Sequence, residues 1–387
     1  MPPKVIVYGA TVRAACQALG RAGFRVVGID SFGDADTLAA CDHHDVESLN
    51  SDAGIASFWP THQDATHILR VGETSRRRAI DRLLDARPIS VRSLHQRNPS
   101  LSELQAFCQG LSIRVPQTGR VSADEKKADW SNSIRHGRWL VKPTGSGGGI
   151  GIHAATPKDI ANDVAGHANE IQLQRRVGGR SFGITYFANA DASVVRVAIL
   201  RSLRTGRPPH RFAYAGSVIV ADASPCREWF KANVDAVDQL ASRFVKATRH
   251  IGVFNIDVMF LKSQAFALEI NARATAATEV ADLASGENLL AATIRADLGT
   301  GGPIAAAFKQ SQNEKWAKRI LYANTALVWD GTIAGEIKLR VTNDFANVRM
   351  ADIPHEPSTF SVGDPVFSVI GPWHQLRHIH RIHPAFR

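Results

Sequence analysis

Arg138-Trp139-Leu140-Val141-Lys142-Pro143-Thr144-Gly145-Ser146-Gly147-Gly148-Gly149-Ile150-Gly151 is the stretch on which the fold turns. Its first half is an apolar strand that ends on Lys142-Pro143. Its second half places five glycines within the seven residues Gly145 to Gly151. Such a segment has few side chains to pack and is costly to order. What it offers is backbone N–H groups able to approach a phosphate closely, with a lysine beside them. A flexible linker is the competing reading, and residues further along the chain decide between the two.

Working outward toward the C-terminus, Ile171 to Phe187 reads as strand, loop and strand, with Gly178-Gly179 at the turn. Val194 to Leu200 and Phe212 to Val220 read as further strands, and Trp229 to Ile251 as an amphipathic helix. Gly252 to Leu261 and Ala265 to Arg273 then form a hairpin-like strand pair. Asp257 interrupts the first of these strands, where an unpaired charge is expensive to bury. Glu269 and Asn271 stand two apart on the second, so period-two geometry puts both on one face, and pairing brings Asp257 to the same space. Three hard oxygen donors on one face suit Mg²⁺, which keeps water and nucleotide oxygens as its other ligands. Arg273 continues that face by the same period and could neutralise charge on a transferring phosphoryl group. A cation, a backbone cradle and a Mg²⁺ site are the parts that nucleoside triphosphate chemistry needs. There is no GxxxxGK[ST] and no HRD or DFG set, which excludes a P-loop and a protein kinase.

At this point the sequence resembles the ATP-grasp superfamily, mostly carboxylate–amine or carboxylate–thiol ligases, over residues 96–310. Three features carry the resemblance, in chain order: the Lys-Pro strand with its glycine loop, the hinge strand Gln174 to Gly179, and the set Asp257, Glu269, Asn271 and Arg273. Tyr214-Ala215-Gly216-Ser217 and the tail around Ala351-Asp352-Ile353-Pro354 and Val362-Gly363-Asp364-Pro365 resemble a carboxylase-related branch of ATP-dependent ligases, some of it linked to cofactor biosynthesis. The resemblance implies ATP and Mg²⁺. Lys142 would contact the α/β-phosphates, Gly145, Ser146, Gly147, Gly148 and Gly149 would form the lid loop, and Gln174 with the backbone at Val177 would read adenine. Asp257, Glu269 and Asn271 would hold the metal, and Arg273, with Lys142, would act catalytically. Three positions depart from the family pattern. Arg97-Asn98-Pro99-Ser100 lacks the usual Lys, for which Arg97 or Arg175 could substitute electrostatically. Ser181 stands at the ribose-binding Glu position, and Ala272 replaces a Pro.

The expected fold class is α/β (α+β), an ATP-grasp fold with an N-terminal parallel βαβ pre-ATP-grasp domain (1–95), a lid subdomain (96–175), a core with the Mg²⁺ site (176–310) and a small C-terminal β-rich segment (311–387). The opening βαβ runs from Val5-Ile6-Val7-Tyr8 through a helix, Val12 to Ala22, to the strand Val26 to Asp30. It has one glycine, Gly9, where a dinucleotide fingerprint wants three, so Asp30 is read as structural rather than ribose-binding. In the C-terminal segment Asp330-Gly331, Val362 to Pro365 and Gly371-Pro372 read as turns. The run His374 to His383 invites a metal reading, but its interleaved arginines disfavour a cation, and a basic strand packing on the core is the better one. Arg196, Arg201, Arg204 and Arg211 are either substrate-anion ligands or solvated strand-edge charges.

Composition sets the remaining bounds. The chain has 387 residues, 44% hydrophobic and 21% charged, with a net charge of +10. That is enough apolar mass for real cores and excludes a mostly disordered chain. The charge favours anionic partners without selecting nucleic acid. Four scattered cysteines (Cys16, Cys41, Cys108 and Cys226) make no disulfide scaffold and no CxxC pair. The short apolar run after Lys4 is a strand rather than an export signal, and no stretch approaches a membrane span. The expectation is a cytoplasmic enzyme acting on a small-molecule carboxylate and an amine, with nucleic acid and membranes not expected as partners. Residues 311–387 offer a surface for a homodimer. The alternatives are an ATP-dependent phosphotransferase on the same fold and a nucleotide-binding protein without turnover.

Overall fold

The computed structural model describes residues 2–73, 77–94, 97–122, 139–143, 147–155, 170–207, 210–220, 228–262, 264–304 and 315–386. Its first sheet has five strands, in the order Asp42–Asp45, Arg25–Asp30, Lys4–Tyr8, Ala65–Arg70 and Arg92–Ser93, all parallel. The apolar runs of the central strands are buried on both faces, as a parallel sheet flanked by helices requires. Asp30 has a structural role. Its carboxylate accepts from the backbone N–H of Val12 at 2.9 Å, Phe32 at 3.1 Å and Gly33 at 3.0 Å, and pairs with His43. Cys16 and Cys41 come together beside Gly28, where a Cβ would fall 2.8 Å from the Cys41 sulfur and 3.1 Å from the Cys16 sulfur, and Cys41 Sγ donates to Thr37 O at 3.5 Å.

The second sheet is antiparallel, with four strands in the order Thr118–Ser122, Glu170–Arg175, Trp139–Pro143 and His153–Ala154. The third has nine, in the order Arg349–Ala351, Pro365–Pro372, Trp316–Tyr322, Tyr214–Ile219, Val194–Arg204, Arg180–Ala188, Gly252–Leu261, Gln264–Asn271 and Ile113–Arg114. Every pairing in it is antiparallel except the last. The helix Glu228–Thr248 packs on one of its faces, where Val237, Leu240 and Phe244 join Ile184, Phe254 and Ile256 in a shared core. Among the described residues no helix is long and apolar enough to cross a membrane.

Three expectations for the C-terminal segment are corrected. Gly371-Pro372 is no turn but ends the strand Pro365–Pro372, paired with Ala317 and Trp316. Asp330-Gly331 opens a helix, Gly331–Asp344, with Asp330 as its N-cap accepting from the N–H groups of Thr332 and Ile333, both at 3.0 Å. The run His374 to His383 forms the helical turns Trp373–Leu376 and Ile379–Arg381 rather than a strand. Its buried residues Leu376, Ile379 and Ile382 recur every third position, and a strand would bury every second. The segment 121–136, read as a surface helix with loops, lies almost wholly outside the described residues, as does Cys226.

A carboxylate pair at the heart of the large sheet

The hairpin Gly252–Leu261/Gln264–Asn271 sets Asp257 directly opposite Glu269 and Asn255 directly opposite Asn271. Period-two geometry thus holds across both strands and puts the four side chains on one face. A bulge follows, because Val258 pairs with Ala267 and leaves Leu268 over. Such irregularities re-aim side chains beside functional sites. Asn255 Nδ2 donates to Asp257 Oδ1 at 2.8 Å, and Asn271 Nδ2 donates to Asp257 Oδ2 at 3.1 Å and Glu269 Oε1 at 3.2 Å. The strand Arg180–Ala188 closes the other side, with Gly183 opposite Asp257. A Cβ on Gly183 would lie 3.3 Å from both Asp257 Oδ1 and Asn255 Oδ1, tighter than ordinary contact. The glycine keeps the space in front of the carboxylates clear.

Carboxylates directly opposite one another repel. Burial, and then the charge of Glu269, push the Asp257 carboxyl well above its ordinary range. Glu269 opens to solvent in this recess. Burial there works against ionisation, but the hydrogen bond shared with Asp257, the Lys142 charge and the Asn271 amide outweigh it and hold Glu269 below its ordinary range. A pair so arranged wants either a proton or a cation between its members. The donor set, two carboxylates and an amide oxygen, suits a hard divalent ion. Asn271 Oδ1 accepts from Arg273 Nη2 at 3.0 Å and Asn98 Nδ2 at 3.4 Å, so the amide must turn over to offer its oxygen to a metal.

Arg273 reaches this group by another route than the one expected. The strand ends at Asn271, and a tight turn, with Arg273 N donating to Asn271 O at 2.8 Å, carries the guanidinium back over the site. There Nη2 also meets Glu73 Oε1 at 3.2 Å, and Glu73 is further paired with Arg70. Burial lowers the Arg273 pKa, with the Glu73 charge opposing. Lys142 and Gln174 belong to the four-stranded sheet. Lys142 Nζ donates to Gln174 Oε1 at 3.2 Å, and the buried Gln174 amide donates to Thr118 Oγ1 at 3.1 Å. The Gln174 side chain is thereby engaged within the sheet. Val177 is half-buried in the connection between the two sheets. Gly145 and Ser146 lie outside the described residues. The rest of the glycine loop is docked: Gly148 O accepts from Tyr214 N at 2.7 Å, and Gly149, at φ +75°, packs so closely that a Cβ would fall 2.3 Å from Phe212 O. Gly147 rests against Glu73.

Asp257, Glu269, Asn271 and Arg273 therefore form one hydrogen-bonded group, and Lys142 acts on it through its charge. Asn255, Gly183, Asn98 and Glu73 join the group without having been among the residues expected there. Asn255 carried a usable signal, two residues before Asp257 on the same face. Asn98 and Glu73 are brought in by tertiary packing alone. The proposed stand-ins for the missing Lys are corrected: Arg97 is exposed and paired with Glu103 at 2.6 Å, and Arg175 is exposed. Of the four candidate arginines, Arg196 pairs with Asp238, Arg201 stacks over Trp373 at 5.5 Å and Arg211 is exposed. Arg204 donates to Ser181 Oγ at 3.1 Å and is close enough to Asp257 to feel its charge.

A carboxylate-bearing antiparallel sheet is thus accompanied by a smaller sheet that carries a lysine and a glycine loop. Residues 104–277 match the family model described as an ATP-grasp domain. Over that segment, somewhat under half of its length, the chain is similar to the ATP-grasp family, and solved structures share its fold. It is similar in structure to an N5-carboxyaminoimidazole ribonucleotide synthetase solved with ADP, at 12% identity and a TM-score of 0.70, covering 99% of this chain and 96% of that one. An ATP complex of the carboxyaminoimidazole ribonucleotide synthase from Aspergillus clavatus gives 11% identity, a TM-score of 0.68, and coverage of 98% and 96%. The L-amino acid ligase from Bacillus licheniformis gives 11%, 0.65, and coverage of 99% and 98%. No curated protein sequence matches the chain.

Proposed function

We propose that the protein is an ATP-dependent carboxylate–amine ligase. The observation that carries the reading is the cross-strand pair Asp257 and Glu269, bridged by Asn271 and flanked by Arg273 and Lys142. Asp257, Glu269 and Asn271 would hold Mg²⁺, which would supply charge neutralisation on the polyphosphate. Lys142 would sit against the phosphates, with the glycine loop from Gly145 to Gly149 above them. Gln174 would orient Lys142, and the backbone near Val177 would meet the base. A substrate carboxylate oxygen would attack the γ-phosphorus, with ADP leaving. The amine would then attack the acyl phosphate carbonyl, expelling phosphate and forming the amide. Arg273 would stabilise the charge on the transferring phosphoryl group, and Glu73 would keep Arg273 in place. The protein's contribution is positioning and electrostatic stabilisation.

The test is a coupled ADP-release screen over amino acids and small carboxylates in Mg²⁺. ADP formation that needs both a carboxylate and an amine supports the reading. A stable phosphorylated product from one substrate alone would replace it with a phosphotransferase, and nucleotide binding without turnover would replace it with a non-catalytic role.

A further inference from the structure

Outside the nucleotide site, the edge of the parallel sheet brings together three metal-ligating side chains that nothing in the mechanism uses. Asp42 and His44 alternate on the strand Asp42–Asp45, two apart and so on one face. His62 ends the helix Asp52–His62 that packs beside them. One ligand atom from each of the three lies within 4.8 Å of the other two. His62 Nε2 is 3.0 Å from His44 Nε2, and His44 Nε2 is 3.8 Å from Asp42 Oδ1. Tetrahedral coordination at about 2.0–2.1 Å places its ligand atoms roughly 3.3 Å apart, so an ion fits between these atoms with small adjustments.

We infer that Asp42, His44 and His62 form a cation site for Zn²⁺, separate from the carboxylate pair of the large sheet.

Two imidazoles and one carboxylate are a borderline donor set that prefers Zn²⁺ over Mg²⁺. His62 is 1% exposed, and its ring is fixed by Phe58, with centroids 4.5 Å apart, and by His44 at 5.0 Å. The neighbouring Lys4 ammonium is tied to Asp64 and to Thr61 O rather than standing in the site. His43, next in sequence to His44, points to the other face and is bound to Asp30. Asp42 is exposed and His44 half-buried, so water can complete the coordination. A bound ion would pin the edge strand Asp42–Asp45 to the helix and so stabilise the N-terminal sheet.

The experiment is equilibrium dialysis of the full chain against ZnCl₂ in a large excess of Mg²⁺, with metal quantified per chain, alongside thermal unfolding with and without ZnCl₂. The wild type and Glu269→Gln should each retain this Zn²⁺ and gain thermal stability from it. Asp42→Asn and His44→Gln, substitutions at accessible positions, should lose at least about tenfold in Zn²⁺ affinity and lose the stabilisation. They should keep their circular dichroism and their nucleotide turnover. Absence of Zn²⁺ binding, or equal binding by wild type and His44→Gln, would overturn the assignment. Because Glu269→Gln removes the other metal site, failure there leaves this test standing.

Discussion

Glu73 holds Arg273 against Asn271, and Asn271 in turn bridges the two carboxylates. At this scale each side chain is positioned by the next. Glu269→Gln removes the charge that a divalent ion needs while keeping the shape, and should reduce ADP formation by on the order of 10³-fold or more with an unchanged circular dichroism spectrum. Glu73→Gln should leave the nucleotide KM nearly constant and lower kcat by on the order of 10²-fold, since a misplaced Arg273 no longer meets the developing charge. Steady-state kinetics separate the two effects. That Asp257, Glu269 and Asn271 share one face was legible in the sequence, because they are polar interruptions of apolar strands. Glu73 was not, because its role depends on a different sheet folding back over the hairpin. Ser181 stood out only as a departure from the superfamily pattern, and its contact with Arg204 comes from the pairing of two successive antiparallel strands, Arg180–Ala188 and Val194–Arg204.

The hairpin is the element that makes the site. Two strands in register carry all three proposed metal ligands, and the next strand contributes a glycine where a side chain would intrude. Gly183→Ala should therefore raise the Mg²⁺ concentration needed for half-maximal activity several-fold and leave the fold intact, which a metal titration of the variant checks. Regular alternation predicted this pair of strands, but not the bulge at Leu268, because Ala265 to Leu268 is uniformly apolar and shows no phase. The helix Gly331–Asp344 was hidden for a different reason. Asp-Gly is a turn dipeptide, but an Asp N-cap followed by a helix is written with the same letters, and the apolar spacing Ile333, Ile337 and Val341 is what distinguishes them. The tail from His374 to His383 likewise misled through its polar residues, when its isoleucines set the period.

Across the whole molecule, a buried ionic network joins the N-terminal layer to the C-terminal strands. Arg13 lies on the first helix, Arg13–Arg21, and is fully buried. It meets Glu279 at 2.5 and 2.7 Å and Asp352 at 2.9 Å, and Lys318 bridges the same two acids at 3.3 and 2.8 Å. Burial alone would raise the Glu279 pKa, but the Lys318 charge and the Arg13 guanidinium prevail and hold it at about 2, against an ordinary 4.5. A carboxyl depressed in this way stabilises the fold above its unfolded pKa, and that contribution is lost as pH falls from about 4.5 toward 2. Glu279→Gln leaves Arg13 and Lys318 short of a counter-charge and should destabilise the protein by about 3–5 kcal/mol at neutral pH. Denaturant unfolding as a function of pH should also show a shallower loss of stability below pH 4.5 in the variant. Anomalous diffraction from a crystal grown with Mn²⁺ and a non-hydrolysable ATP analogue would locate the metal directly. A manganese peak between Asp257 and Glu269, with the polyphosphate beside Lys142, is the expected result. A metal–nucleotide pair seated elsewhere, with Asp257 and Glu269 free of metal, would contradict it.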